Sequence, residues 1–146
     1  MTFHIEPFKT RHLDDLELQP AQADLRAFLE HGHVLQLAEG TYAFTGFQDG
    51  RPVGCAGLIE LWPGRDCAWS LLSDCGPRAF LNVHRTVVRF LEQRRTRRTE
   101  MTVDADHDAG RRWAELLGFR KEGLMECYSP NGRDAYLYAK VRHERR

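Results

Sequence analysis

The chain has 146 residues, 42% of them hydrophobic, so we expect one globular domain whose core needs no disulfide or metal. Lysines and arginines together equal aspartates and glutamates at 21 each, which does not favour nucleic acid or an anionic membrane as the main partner. No apolar run is long enough to span a bilayer, and the first residues, MTFHIEPFKTRH, lack the apolar segment of a secretory signal. The four cysteines have no CxxC spacing, so we expect free thiols, a cytoplasmic location and no zinc site.

The first third of the chain predicts one strand and two short helices. Residues 3–8 alternate weakly between apolar and polar side chains, as a strand does. Residues 10–31 have helical spacing in two pieces that separate near Pro20, and Gly32 is the predicted stop of the second piece.

The middle of the chain predicts three consecutive antiparallel strands. The clearest local pattern is TYAFTGFQDGRPVGCAGLIELW, in which Asp49 and Gly50 form a favoured hairpin pair between two runs of strand-forming residues. A second turn, PGRD, leads into CAWSLLS. The predicted strands are therefore residues 42–48, 52–61 and 67–72.

The last part of the chain alternates helices and strands. Apolar residues from Phe80 to Leu91 predict a helix with the basic end RRTRR, and TEMTVDA predicts the strand that follows. Asp108 is the predicted cap of the next helix and Gly118 its stop, before the two strands FRKEGLMECY and DAYLYAKV. The order β-αα-βββ-α-β-α-ββ implies a parallel pair at the central crossover, within a mixed α/β (α+β) fold with about seven strands.

This order and the segment DHDAGRRWAELLGFRKEGLMECYSPNGRDAYLYAKV together resemble the GNAT superfamily of acyl-CoA-dependent N-acyltransferases. The shared pattern is a short helix ending in LGF, then RKEG, then a hairpin with GRD before an aromatic-rich strand. The fourth strand with Trp69 is also similar to acetyltransferase-like proteins of bacteriophage or prophage origin. The resemblance implies a single GNAT-like domain over residues 1–146, in which the fourth and fifth strands splay apart.

The resemblance also implies a site for acetyl-CoA, or coenzyme A, where the fourth strand passes into the next helix. In the family the diphosphate meets N–H groups of the first helical turn, which lack helical partners and carry the positive end of the helix dipole. Here LLSDCGPRAFLN departs from the family's glycine-rich loop, since it contains only Gly76. Either a degenerate cradle still binds coenzyme A, or the loop has lost the cofactor. The first alternative predicts these cofactor-binding residues: Leu72, Ser73, Arg78, Ala79, Phe80 and Leu81, with Trp113 near the pantetheine arm.

For catalysis the resemblance implies a helix tyrosine as general acid, and here that position is Ala114. The candidate bases are Glu60, late in the third strand, and His107, whose imidazole titrates near neutrality. The non-catalytic interpretation of Glu60 is a solvated carboxylate, and that of His107 is a polar residue at a helix start. Cys75 precedes the predicted cradle, where a helix N-terminus can lower the pKa of a thiol. The other interpretation of Cys75 is an incidental thiol without a function.

The predicted function is transfer of an acetyl or short acyl group from acyl-CoA to an amine by direct attack in a ternary complex. The acceptor, a small-molecule or peptide amine, is not identified by the sequence, and a homodimer through the last strands is compatible with it. One alternative is a catalytically inactive GNAT-like module for interaction or phage assembly, motivated by the absent glycines and tyrosine. A nucleic-acid binder rests only on the arginine run and on the tail RHERR, and the zero net charge supports a solvated helix end instead: Arg94, Arg95, Arg97 and Arg98. The resemblance implies a third interpretation, in which basic residues near this edge contact the 3′-phosphate of coenzyme A, and it fits the run equally well.

Overall fold

The computed structural model describes residues 2–26, 39 and 42–143. The strands are β1 (Phe3–Pro7), β2 (Tyr42–Gln48), β3 (Arg51–Trp62), β4 (Arg65–Leu72), β5 (Arg98–Asp104), β6 (Arg120–Met125) and β7 (Ala135–Val141). The helix α1 (Gly76–Arg94) connects β4 to β5, and α2 (Asp108–Leu116) connects β5 to β6. None of the helices in these described ranges is both long and apolar enough to cross a membrane.

The seven strands form one mixed sheet in the order β1-β2-β3-β4-β5-β7-β6. β4 and β5 are parallel, and the other pairs with a resolved register are antiparallel. The parallel ladder joins residues 65–67 to residues 98–100, whereas β4 continues to Leu72. This arrangement confirms the predicted mixed sheet and the splay after the first residues of β4.

The chain divides into two compact units. The first combines Met1–Ile59 with Trp69–Gln93, and the second combines Glu60–Ala68 with Arg94–Arg146. The division leaves the single-domain organisation as a prediction. The core of the first unit contains six buried apolar residues: Phe8, Leu13, Leu16, Ala43, Cys55 and Leu71.

The hairpin between β2 and β3 forms as the sequence predicts. Asp49 and Gly50 have φ values of 51° and 81°, the left-handed backbone that a two-residue hairpin turn requires. Farther along β3, a Cβ atom at Gly54 would lie 2.7 Å from the Leu72 side chain. The glycine thereby lets the end of β4 pack directly on β3, which fixes the strand that precedes α1.

Within residues 10–22 the predicted helices form as two 3₁₀ turns, Thr10–Asp14 and Pro20–Gln22. Residues 25 and 26 are α-helical. Leu13, in the first turn, and Leu16, just after it, are both buried. Residues 27–31 and the predicted stop Gly32 lie outside the described residues.

The predicted cap of α2 is wrong by one residue, while its predicted stop is confirmed. His107 is the N-cap and makes no capping hydrogen bond with its side chain, and Asp108 is the first helical residue, where its charge suits the helix dipole. Gly118 follows the helix with φ of +93°, and its N–H donates to the carbonyl oxygen of Glu115 at 3.0 Å. A left-handed glycine at this place ends the helix, as the LGF sequence predicts.

Candidate functional site

The first turn of α1 is the predicted cradle, and it begins three residues after β4 ends. Gly76 has φ of +82°, a backbone conformation that other residues adopt only with strain. A Cβ atom built on Gly76 would have no heavy atom within 4 Å, so the approach to the helix start is open. Gly76, Pro77 and Arg78 are exposed, and no acidic residue lies in the first turn. An exposed helix start of this kind attracts anions through its first N–H groups and the positive end of the dipole.

The bulky residues of this turn differ in how far they are exposed. Phe80 is half-buried, and its ring stacks on His84 one turn farther along α1, with centroids 6.4 Å apart. Ala79 is buried, and Leu81 is 44% exposed. The Phe80 ring therefore packs along its own helix, and Arg78 is the exposed cationic side chain of the turn.

The N–H groups at the end of β4 already donate to acceptors within the first unit. The N–H of Ser73 donates to the carbonyl oxygen of Val53 at 3.0 Å, which extends the pairing with β3. The N–H of Leu72 donates to Oε1 of Gln22 at 2.9 Å. The roles of Leu72 and Ser73 in cofactor binding stay predictions, and a ligand that takes the N–H of Leu72 must first displace Gln22.

Gln22 closes the edge of β4 that no longer pairs with β5. Its Nε2 atom donates to the carbonyl oxygen of Ser70 at 3.0 Å, in addition to the bond that its Oε1 atom accepts from Leu72. The N–H of Gln19 donates to the carbonyl oxygen of Leu72 at 2.8 Å. The carboxamide of Gln22 thus pairs with the strand edge as a peptide group would. Sequence reasoning missed Gln19 and Gln22, because nothing in LQPAQ indicates a contact with residues about 50 positions away.

Cys75 does not have the activated thiol that its position suggests. Burial is the largest influence on this side chain, and it raises the pKa of the Cys75 thiol above its ordinary value of 9.0. The Sγ atom lies 3.8 Å from the carbonyl oxygen of Gly76. The helix N-terminus therefore does not lower the pKa of Cys75, and its protonated thiol agrees with the interpretation as an incidental thiol.

Glu60 lies beside the end of α1 rather than beside its first turn. One carboxylate oxygen of Glu60 is 3.8 Å from Nη2 of Arg94, the last residue of the helix. The rise of an α-helix places Arg94 roughly 27 Å from Gly76. The role of Glu60 as a base stays a prediction, and its pairing with Arg94 gives that role no support.

His107 has the protonation state that a base needs. Burial lowers the pKa of its imidazole below the ordinary value of 6.5, and Asp104 and Asp108 only partly oppose this effect. The ring lies against Gly110, where a Cβ atom would be 2.5 Å from Nδ1. Trp113 is half-buried on α2, and Ala114, at the position of the family's tyrosine, is buried. His107 is therefore neutral at pH 7, and its catalytic role stays a prediction, as does the place of Trp113 near the pantetheine arm.

Solved structures with the same fold include Ard1 and several acetyltransferases. Ard1 from Thermoplasma volcanium matches with a TM-score of 0.79 and 14% identity, over 99% of this chain and 100% of that chain. The ribosomal-protein-S18-alanine N-acetyltransferase from Escherichia coli matches with a TM-score of 0.69 and 16% identity, over 96% and 94% of the two chains. An N-acetyltransferase from Staphylococcus aureus Mu50 matches with a TM-score of 0.66 and 14% identity, over 97% and 99%. No family model matches the sequence, and no curated protein matches it.

The protein thus has the fold of the GNAT acetyltransferases, as the resemblance of its last quarter implies. At these identities the likeness establishes the fold, and the activity has to be argued from the residues of this chain.

Proposed function

We propose that the protein is an acyl-CoA-dependent N-acetyltransferase that acts on an amine. The observation that carries this proposal is the exposed first turn of α1, directly after β4, in a chain with the GNAT fold. A phage origin stays a prediction, as does an acceptor that is a small-molecule or peptide amine.

The residues of the first turn fit the diphosphate end of coenzyme A. The space beside Gly76 is open, so a phosphate can approach the main chain there. Arg78 is exposed and can add charge-assisted hydrogen bonds to phosphate oxygens. Pro77 has no N–H, but at a helix start that group has no helical acceptor in any case.

The residues at the end of β4 fit the acyl end only after Gln22 has moved. Leu72 would then donate its N–H to a ligand oxygen in place of Oε1 of Gln22. Breaking the hydrogen bond to Gln22 costs little free energy, because a typical intramolecular hydrogen bond contributes only about 0.5–1.5 kcal/mol net. Acetyl-CoA, when bound, supplies the acetyl group as a thioester. His107, which is neutral at pH 7, would accept a proton from the acceptor amine at its unprotonated ring nitrogen.

The alternative, a catalytically inactive GNAT-like module, is favoured by one specific observation. The β4 edge is already satisfied within the chain, by Gln22 and by the N–H of Gln19. A permanently closed edge would leave the fold without a place for the acyl end of the cofactor.

Two measurements on the same protein separate the alternatives. Acetyl-CoA at millimolar concentration should raise the melting temperature, since a ligand that binds only the native state stabilises it by mass action. Release of free thiol in the presence of a panel of small amines and peptide N-termini should then identify a transferase. Thermal stabilisation without thiol release would indicate a binding module, and the absence of any stabilisation would overturn the proposal.

A further inference from the structure

The second unit contains an open cleft of about 490 Å³ where α1 ends and β5 begins. Its walls come from the end of β3, the turn before β4, the connection from α1 to β5 and the segment after β7. The residues that matter for its chemistry are one carboxylate, one glycine and four arginines: Glu60, Gly64, Arg94, Arg95, Arg97 and Arg142. Nothing in the proposed acetyl transfer uses this cleft.

The base of the cleft is rigid. The carboxylate of Asp66 is fully buried and accepts two hydrogen bonds from Arg94, from Nε at 3.0 Å and from Nη2 at 3.1 Å. The hydroxyl of Thr96 donates to the same carboxylate. Arg94 is therefore fixed in place, and its charge is balanced from beneath by Asp66.

Main-chain hydrogen bonds join the walls. The N–H of Arg142 donates to the carbonyl oxygen of Arg97 at 2.7 Å, and the N–H of Arg98 donates to that of Gly64 at 3.0 Å. The guanidinium of Arg97 lies over Gly64, where a Cβ atom would be 3.6 Å from it. Three separate segments of the chain thus bring Arg97 and Arg142 to one surface.

The dipole of α1 does not account for all of these cations. Arginines at a helix C-terminus interact favourably with its partial negative charge, which explains Arg94 and Arg95. Arg97 lies beyond the helix, and Arg142 comes from the segment after β7, so the dipole does not explain why they converge there. Among the described lining residues Glu60 is the one carboxylate against four guanidinium groups.

The composition of the walls indicates the kind of anion. A guanidinium has five N–H donors in a planar fork that matches phosphate oxygens, so it can keep a contact within the protein and still donate to a ligand. The described part of the lining contains no Phe, Tyr or Trp, and the imidazole of His143 is its one aromatic ring. Four convergent guanidinium groups beside a single imidazole favour a small anion with several phosphate groups over a nucleotide or a nucleic acid.

We propose that this arginine cleft is a second binding site, separate from the first turn of α1, for a compact polyphosphate anion. The probe is inorganic tripolyphosphate, titrated calorimetrically into the full chain at low and at physiological salt. We expect Arg97→Ala and Arg142→Ala each to raise the Kd for tripolyphosphate at least tenfold. Glu60→Gln, which removes the opposing carboxylate, is expected to lower the Kd several-fold.

Two matched controls locate the site. Arg112→Ala removes an exposed arginine of α2 and should not change the Kd more than twofold. Arg78→Ala removes the arginine of the first turn of α1, so it should weaken binding at that turn and leave the binding that Arg97→Ala and Arg142→Ala weaken in place. Loss of binding in Arg78→Ala but not in Arg97→Ala would overturn the proposal, because the phosphate would then bind at the first turn of α1. A wild-type Kd in both cleft variants would overturn it as well. Salt-sensitive binding of a single-stranded oligonucleotide without binding of tripolyphosphate would contradict the assigned ligand class. Glu60→Gln keeps the test decisive if an arginine variant fails to fold, since tighter binding cannot result from unfolding.

Discussion

The carboxamide of Gln22 pairs with the main chain of Leu72, whose N–H lies 2.9 Å from Oε1 of the glutamine. The same carboxamide donates to the carbonyl oxygen of Ser70 at 3.0 Å. An unpaired strand edge is a template for another extended chain or ligand, and here the protein covers that edge with its own side chain. The contact therefore bears on both alternatives for function, since it is either a displaceable substitute for a ligand amide or a permanent closure.

We predict that Gln22→Ala tightens the binding of acetyl-CoA. The substitution removes the group that competes for the N–H of Leu72, so the Kd should fall by about three- to tenfold, which corresponds to one net hydrogen bond. The free energy of unfolding should fall by about 1 kcal/mol, because the edge groups lose their protein partner. Calorimetric titration and urea denaturation measure the two quantities.

The matched control for that variant is Gln93→Ala, which removes an exposed glutamine from the last turns of α1. It should leave the Kd for acetyl-CoA unchanged. A Kd that rises in Gln22→Ala would show that Gln22 helps to hold the ligand, and the competition that we propose would be wrong.

Gly76→Ala is predicted to destabilise the protein through its backbone alone. Placing a residue with a Cβ atom in the left-handed conformation costs about 1–2 kcal/mol of folding free energy. The open space at Gly76 excludes an added clash of the Cβ atom with other residues. Gly123→Ala is the matched control, because its Cβ atom would also meet nothing within 4 Å while Gly123 is absent from the residues with positive φ. Urea denaturation should show a loss in the first variant and none in the second, and equal losses in both would refute the assigned cause.

An ion-pair network in the second unit makes Glu100 a determinant of acid stability. Its carboxylate accepts hydrogen bonds from Nε of Arg65 and from Nε of Arg98, both at 2.7 Å. The bond from Arg65 is the largest influence, and it lowers the pKa of Glu100 from 4.5 to about 2. Because the folded pKa is depressed, the stabilisation is present above pH 4.5 and is lost as the pH falls towards 2.

Glu100→Gln should therefore cost about 2 kcal/mol at pH 7, since it leaves two guanidinium groups without their shared carboxylate. It should also flatten the dependence of unfolding free energy on pH between 4.5 and 2, measured by urea denaturation at each pH. The comparison variant is Glu122→Gln, which removes a carboxylate that is 40% exposed and pairs with Arg98. Such an exposed pair should contribute less than about 1 kcal/mol. Equal effects of the two substitutions would contradict the role of burial.

The buried imidazole of His12 is predicted to destabilise the protein in mild acid. Its Nδ1 atom accepts a hydrogen bond from the N–H of Lys9 at 3.2 Å and lies 2.7 Å from the hydroxyl of Thr45. Burial lowers the pKa of His12 below 6.5, so the unfolded chain binds more protons and stability falls as the pH drops below about 6.5. His12→Gln should reduce the slope of unfolding free energy against pH between 7 and 5. Addition of His107→Gln should reduce it further, and an unchanged slope in the double variant would contradict this assignment.

Local chemistry made most of the fold predictable. The pair of Asp49 and Gly50 specifies a hairpin by its own backbone preference, and Gly118 ends α2 for the same reason. The apolar period of α1 predicts a helix whose observed bounds are Gly76–Arg94. Each of these features depends on residues that are neighbours in the chain, which a sequence displays directly.

The features that escaped prediction depend on residues far apart in the chain. The contact of Gln22 with Leu72 requires the second 3₁₀ turn to lie along the β4 edge. Neither a glutamine nor a leucine in the sequence indicates that packing. The burial that raises the pKa of Cys75 is not visible in the sequence. The pairing of Glu60 with Arg94 likewise becomes visible only once β3 and the end of α1 are brought together.

Calorimetric titration of charge-reversal variants shows whether the first turn of α1 binds the diphosphate of coenzyme A. Arg78 lies in that turn, and Arg85 is an exposed arginine of the same helix about 10 Å farther along, two turns beyond. We predict that the wild-type protein binds coenzyme A, that Arg78→Glu raises the Kd at least tenfold and that Arg85→Glu changes it less than twofold. The absence of binding to the wild-type protein at millimolar coenzyme A, or equal losses in both variants, would contradict the claim.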